Sequence, residues 1–113
     1  RAVVRSYTGA NLRRGLMTIE DGRGHAHALY GYKTDHDLAH TRFLRVLLYA
    51  VSTFPGLDVY GALVNSFQAI AQQCGCARVV IDLSGCANEG LLSRTIMADA
   101  GFTASGTLLV KSL

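Results

Sequence analysis

The sequence predicts an α/β or α+β fold in which helices are layered around one β-sheet. Short runs rich in β-branched and aromatic residues recur at 16–20, 25–32, 42–52, 78–83 and 107–111, a composition that suits a pleated, half-buried surface. Between the later runs, at about 58–75 and 89–99, apolar residues repeat at helical spacing. Glycine, proline and aspartate separate the runs, where turns need them. Strands that alternate with helices imply layers around a single sheet.

The elements follow in order. Residues 1–15 are polar and arginine-rich, with Gly9 and Gly15; a short strand at 2–7 fits, and the remainder reads as an arm. Residues 16–20 form a strand, and Asp21-Gly22-Arg23-Gly24 is a hairpin turn, because glycine takes the positive φ that tight turns demand. Residues 25–32 are the return strand, with Ala26, Ala28, Tyr30 and Tyr32 on one face and His25, His27 and Leu29 on the other. Residues 33–41 read as a polar connector. Residues 42–52 (RFLRVLLYAVS) read as a buried strand closed by Phe54-Pro55-Gly56; a helix over 37–49 competes, since a short apolar run does not separate the two by period.

Asp58 is placed to cap a helix, its carboxylate accepting from the first amides. Leu63, Phe67, Ile70, Ala71 and Cys74 then share a stripe, and Gly75 occupies the position of a C-terminal glycine. Residues 78–83 (RVVIDL) form a short apolar strand stopped by Ser84-Gly85. A second helix spans about 89–99, with Leu92 and Ile96 on one side, and Gly101-Phe102 supplies a left-handed stop with a hydrophobic latch. Residues 107–111 close the sheet. The order is β-β-β-α-β-α-β, without repeats or low-complexity tracts.

Composition narrows the function classes. A length of 113 residues is read as one domain, 1–113, with 1–15 as an arm or short strand. The net charge of +3 arises from nine arginines and two lysines against eight acids, scattered except for Arg1, Arg5, Arg13 and Arg14. No basic helix or basic–aromatic motif points to nucleic acid. No apolar run approaches the ~18–20 residues of a membrane span, and no signal-peptide pattern opens the chain. The chain opens at Arg1, which reads as a trimmed, processed or partial N-terminus. An odd count of three cysteines reads as reduced and intracellular, hence cytoplasmic, and Cys74-Gly75-Cys76 is not the C-x-x-C of redox and zinc sites.

The ordered set of pieces LLYAVSTFPG, ALVNSFQAIAQQCGCARVVIDL, a helix ending in AGF, and GTLLVKSL resembles the coenzyme-A-binding half of the GNAT superfamily of N-acetyltransferases, over about residues 42–113. The phrase A-x-x-x-G-C at 71–76, then Gly101-Phe102 and a strand ending L-V-K-x-L, carries most of the resemblance. In detail the chain is also similar to small GNAT-like proteins encoded by bacteriophages. The resemblance implies a mixed, mostly antiparallel sheet flanked by helices and shortened at the N-terminus, where about 15 residues precede Leu16 instead of a strand and two helices. It implies acetyl-CoA as cofactor and an amine as acceptor. A homo-oligomer or larger assembly would supply the missing pocket walls, and for a phage protein the location would be the virion.

The family's phosphate loop works because glycines turn backbone amides inward at the start of a helix, so that two phosphates are held without side chains. The usual Arg/Gln-Gly-x-Gly-x-Gly/Ala overlays on Pro55-Gly56-Leu57-Asp58-Val59-Tyr60, and only Gly56 matches a glycine. Asp58 brings a carboxylate to a phosphate position, Tyr60 is bulky, and Gly61 restores room if the register shifts by one. The resemblance further implies that backbone groups of Leu48, Tyr49, Ala50 and Val51 polarise the thioester. The usual proton-donating tyrosine is replaced by Met97, which leaves the thiolate to water, Ser93 or Thr95. Asn88 stands near the family's helix-capping asparagine, with two more residues of spacing.

Other residues are candidates on their own chemistry. His40 or His27 is a candidate general base, because histidine titrates near neutrality. His25 with His27, and His36 with His40 near Asp35 and Asp37, match no zinc spacing; a polar hairpin and loop is the simpler account, so no metal is expected. Asp82-Leu83-Ser84-Gly85 resembles the anti-sigma-antagonist fold but lacks its Asp-Ser-Gly switch. Two functional expectations follow: an acetyl-CoA-dependent N-acetyltransferase, or a GNAT-fold pseudoenzyme with an assembly or binding role, of bacteriophage type.

Overall fold

The computed structural model describes residues 3–6, 14–52, 58–85, 96, 100–106 and 108–113. Seven strands form one sheet in the order β1-β2-β3-β4-β5-β7-β6. They are β1 (Val3–Ser6), β2 (Arg14–Glu20), β3 (Ala26–His36), β4 (Arg42–Val51), β5 (Arg78–Asp82), β6 (Thr103–Ser105) and β7 (Leu108–Ser112). Among the described strands only β4 and β5 run parallel, and the other pairings are antiparallel. The fold class is therefore the mixed, mostly antiparallel sheet with helical cover that the sequence suggested.

The parallel pair exists because α1 (Val59–Gln73) carries the chain back across the sheet between β4 and β5. Its buried residues, Val59, Leu63, Ser66, Phe67 and Ala71, lie on one stripe. They meet Ile19, Tyr30, Leu44, Val46, Leu48, Val79 and Ile81 in one core. Phe67 packs edge-to-face on Tyr30 with ring centroids 4.8 Å apart, and the Tyr30 and Ser66 hydroxyls hydrogen bond. Two buried hydroxyls in an apolar layer thus satisfy each other. The helix starts on Asp58, whose carboxylate accepts from the Gly61 amide at 2.9 Å. It ends where Gly75 takes φ +69° and the amides of Gly75 and Cys76 return to the carbonyls of Gln72 and Ala71, at 3.2 and 2.8 Å.

Several expectations change. The 33–41 connector is shorter, because Lys33–His36 remain in β3, paired with Arg42–Arg45. Polar residues persist in the strand because they lie on the less covered part of the sheet. The competing helix over 37–49 does not form; β4 is held by partners on both sides. Ala26 is exposed although Ala28, Tyr30 and Tyr32 are buried, since β3 skips a residue against β2 between Ala26 and Ala28. The exposed strand β6 was not anticipated; it turns into β7 around Gly106, at φ +62°. The second helix lies largely outside the described residues; Ile96 is helical and 1% exposed, and Gly101 has φ +73° with Phe102 buried behind it. From β1 to β2 the chain takes residues 7–13, which also lie outside the described set.

Two ties fix one end of the sheet. Arg78 donates to Asp37 at 2.7 Å, and Arg42 donates to the Cys74 carbonyl at 2.8 Å. Together they join the β3–β4 turn to β5 and to the end of α1. Cys74 and Cys76 are buried cysteines outside any disulfide, and burial pushes the Cys76 thiol up. No helix among the described residues is long and apolar enough to cross a membrane.

Candidate functional site

The site grows out of how β4 ends. Leu44, Val46 and Leu48 point into the α1 side of the sheet, and Phe43, Arg45, Leu47 and Tyr49 point away from it. Against β3 the register slips by one: Leu29 pairs with Ala50 and Tyr30 with Leu48, so Tyr49 has no partner on that strand. Such a bulge bends a strand and re-aims its groups. Against β5 the pairing stops sooner, at Leu47 with Asp82, whereas β4 runs on to Val51. The β5-facing edge of Leu48–Val51 therefore has no strand partner among the described residues.

This edge lies at the carboxyl end of the parallel pair, where the neighbours on either side, β3 and β7, run antiparallel. Open α/β sheets bind ligands at such switch points, with a helix N-terminus near by. Here that terminus is α1. A cleft of about 260 Å³ lies between Tyr60, Gly61, Val64 and Asn65 of α1 and the residues Ile96 and Ala100. Asp58 also lines it. Its carboxylate already takes the Gly61 amide, and a Cβ on Gly61 would overlap Asp58 Oδ2, so glycine is what lets the cap close.

The expected site residues separate into groups. Leu48, Tyr49, Ala50 and Val51 form the unpaired edge, with Leu48 buried and Tyr49 48% exposed. Asp58, Tyr60 and Gly61 line the cleft, whereas Val59 is 2% exposed and belongs to the core. Gly56, Leu57, Asn88, Ser93 and Thr95, and Met97 with them, lie outside the described residues. His40 sits in the β3–β4 turn at φ 61°, beyond the first residue of β4, and is separated from Val51 by the length of that strand. The geometry thus does not bring His40 to the edge.

His27 lies at the near end of β3. Its Nε2 is 2.9 Å from Asp21 Oδ2, and its Nδ1 is 3.5 Å from the Ser52 hydroxyl, just past β4. The hydrogen bond from His27, helped by the Arg23 and His25 amides, holds the Asp21 carboxyl well below the usual carboxylate range despite partial desolvation. His25 and His27 thus converge on one aspartate, while His36 and His40 belong to the opposite end of β3. Among the described residues no three histidine, cysteine or acidic side chains gather as a metal cluster would.

Val64, Asn65, Ile96 and Ala100 were not anticipated as cleft residues. Val64 and Asn65 follow Gly61 by three and four positions, so the helical face itself was the available signal. Ile96 and Ala100 reach the cleft only through the packing of distant chain segments.

A sheet that splays after a short parallel pairing, with a bulged strand on one side and a helix N-terminus above, is the GNAT fold. Solved structures bear this out. The GNAT domain of S. lividans PAT superposes with a TM-score of 0.64 at 20% identity, over 95% of this chain and 65% of that one. Glucosamine-6-phosphate N-acetyltransferase from Arabidopsis thaliana gives 0.55 at 16% identity, over 84% of this chain and 67% of that one. A GNAT-family acetyltransferase from Listeria monocytogenes gives 0.55 at 16%, over 87% and 64%. The chain thus spans less than two thirds of the first and third of these, and at such identities the likeness is one of fold. No family model and no curated protein matches the sequence.

Proposed function

We propose that the protein is an acyl-CoA-dependent N-acyltransferase of the GNAT type, with acetyl-CoA as donor and an amine as acceptor. The observation that carries the reading is the unpaired edge of β4. Backbone groups at Leu48–Val51, kept in place by the bulge at Tyr49, are fixed dipoles able to stabilise negative charge on a carbonyl oxygen without reorganising. Acetyl-CoA supplies an acyl thioester, whose carbonyl carbon gains a bond to the acceptor nitrogen and loses its bond to sulfur, one proton leaving the amine and one joining the thiolate.

The chain's residues fit that donor unevenly. The β4 edge and the cleft of Tyr60, Gly61, Val64 and Asn65 suit the acyl and pantetheine portions. The start of α1 does not suit the pyrophosphate as it stands, because Asp58 occupies the Gly61 amide and adds a negative charge. Phosphate binding there requires the carboxylate to swing away, so Asp58 limits affinity. With Met97 at the usual tyrosine position, proton delivery to sulfur falls to water or to Ser93 or Thr95, and His27 is the nearer histidine for the amine proton.

Calorimetric titration with acetyl-CoA tests this, with Asp58→Gly alongside. Binding by the wild-type chain is expected, and the variant should bind about two- to fivefold more tightly, the size of one removed helix-terminus charge. Absence of heat from both proteins at millimolar ligand would sink the reading. Binding by the variant alone would favour the second reading, a non-catalytic GNAT-fold module of phage type in an assembly, in which Asp58 fills the phosphate site.

A further inference from the structure

On the face of the sheet away from α1, a cavity of about 410 Å³ opens over Leu16, Gly31 and Leu47, bordered by Arg14, Lys33 and Tyr49. It adjoins the bulge, since Tyr49 is the residue the β3 register skips. A Cβ on Gly31 would stand 3.3 Å from Tyr49 Cε2, so glycine admits the ring close over β3. At one end of the cavity the pairing registers set Arg14 opposite Lys33, and Lys33 opposite Arg45. Three cations on three neighbouring strands therefore share one face. Directly opposed like charges destabilise a sheet.

Asp82 Oδ2 lies 3.5 Å from Arg45 Nη2, and Asp82 Oδ1 accepts from the Ser84 amide at 2.9 Å. Asp35 is two positions further along β3, and its Oδ1 accepts from the His36 amide at 2.9 Å. No carboxylate forms an ion pair with Lys33 among the described residues. An anion bound at Lys33 would offset the charge that Lys33 adds between Arg14 and Arg45.

We infer that this cavity is the acceptor site, and that the acceptor is a small primary amine bearing a carboxylate or phosphate several bonds away. The inference rests on the acyl-transfer reading above. Lys33 lies two residues from Gly31, about 7 Å along the strand. An anion held at Lys33 thus points the far end of a short molecule toward Tyr49 and the unpaired β4 edge. Leu16 and Leu47 form an apolar floor for the linking carbons, and charge-assisted contacts at one end set the orientation.

Acetyl transfer to γ-aminobutyrate, aminoethyl phosphate and the neutral γ-aminobutyramide, read as thiol release, tests this in the wild-type chain, Lys33→Gln and Lys33→Glu. One of the two anionic amines should exceed the neutral one in kcat/KM by roughly tenfold or more, and which one does so identifies the anion. Lys33→Glu should abolish the preference through KM, leaving the calorimetric Kd for acetyl-CoA unchanged. Equal rates with all three amines, together with intact acetyl-CoA binding, would overturn the acceptor inference and leave the acyltransferase reading standing. If acetyl-CoA does not bind, that reading fails, and the cavity is tested alone by amide chemical shifts at Gly31 and Tyr49. Movement on titration with either anionic amine, lost in Lys33→Glu, supports the anion site; no movement overturns it.

Discussion

Tyr30 shows how much one side chain links here. Its ring meets Phe67 across the core and its hydroxyl meets Ser66 of α1. Burial pushes the phenol up to about 12 from 10.0, a rise that the bond to Ser66 partly opposes. The stability from a neutral, buried Tyr30 is therefore complete below pH 10 and is lost as pH rises through about 12. Tyr30→Phe should cost about 1–2 kcal/mol in urea unfolding at neutral pH, because it strands the Ser66 hydroxyl. It should also remove the extra alkaline loss seen in the wild-type chain above pH 10. Tyr30 was legible as an inward residue from alternation, whereas its partner Ser66 was not, since serine belongs to no apolar stripe.

At the scale of elements, α1 is the clearest success of sequence reasoning, and the reason is local. Its cap, Asp58, and its stop, Gly75, act within a few residues of themselves. Gly75→Ala meets no steric neighbour within 4 Å, so its cost should come from the left-handed backbone alone, about 1 kcal/mol in thermal or urea unfolding. A larger loss would mean that the Schellman bonds of Gly75 and Cys76 break as well. The β3–β4 hairpin is the instructive contrast. Polarity at Lys33–His36 suggested a connector, yet those residues stay in register with Arg42–Arg45. Strand pairing does not require apolar side chains where one face meets solvent. The bulge at Tyr49 and the early end of β5 pairing, on which the candidate site depends, leave no mark in composition.

For the whole molecule, the described core concentrates stability where α1 packs on the sheet. Phe67 is fully buried between α1 and Tyr30. Phe67→Ala should lower stability by about 3–5 kcal/mol, and the urea midpoint should fall with little change of slope if the domain unfolds as one unit. The two faces of the sheet then have different work. The α1 face carries the core and the cleft beside Asp58; the other carries the Arg14–Lys33–Arg45 row and the cavity at Tyr49. Under the proposed reaction, the β5-facing edge at the end of β4 would stand between donor and acceptor, which would then not compete for one pocket.

Elements with local signals are readable from the residues alone: the Asp21–Gly24 turn, the α1 stripe with its cap and stop, the apolar strand before Ser84, and the left-handed Gly101. The sequence also marked Asp58 as the cap of α1, because capping chemistry is readable within four positions. Tertiary structure alone decided that β4 and β5 run parallel and then part, that Tyr49 is bulged, and that His40 and the β4 edge lie at opposite ends of a strand. It alone aligned three distant cations in a row. Those features depend on register between segments far apart in the chain, and register is settled by the joint packing of both faces.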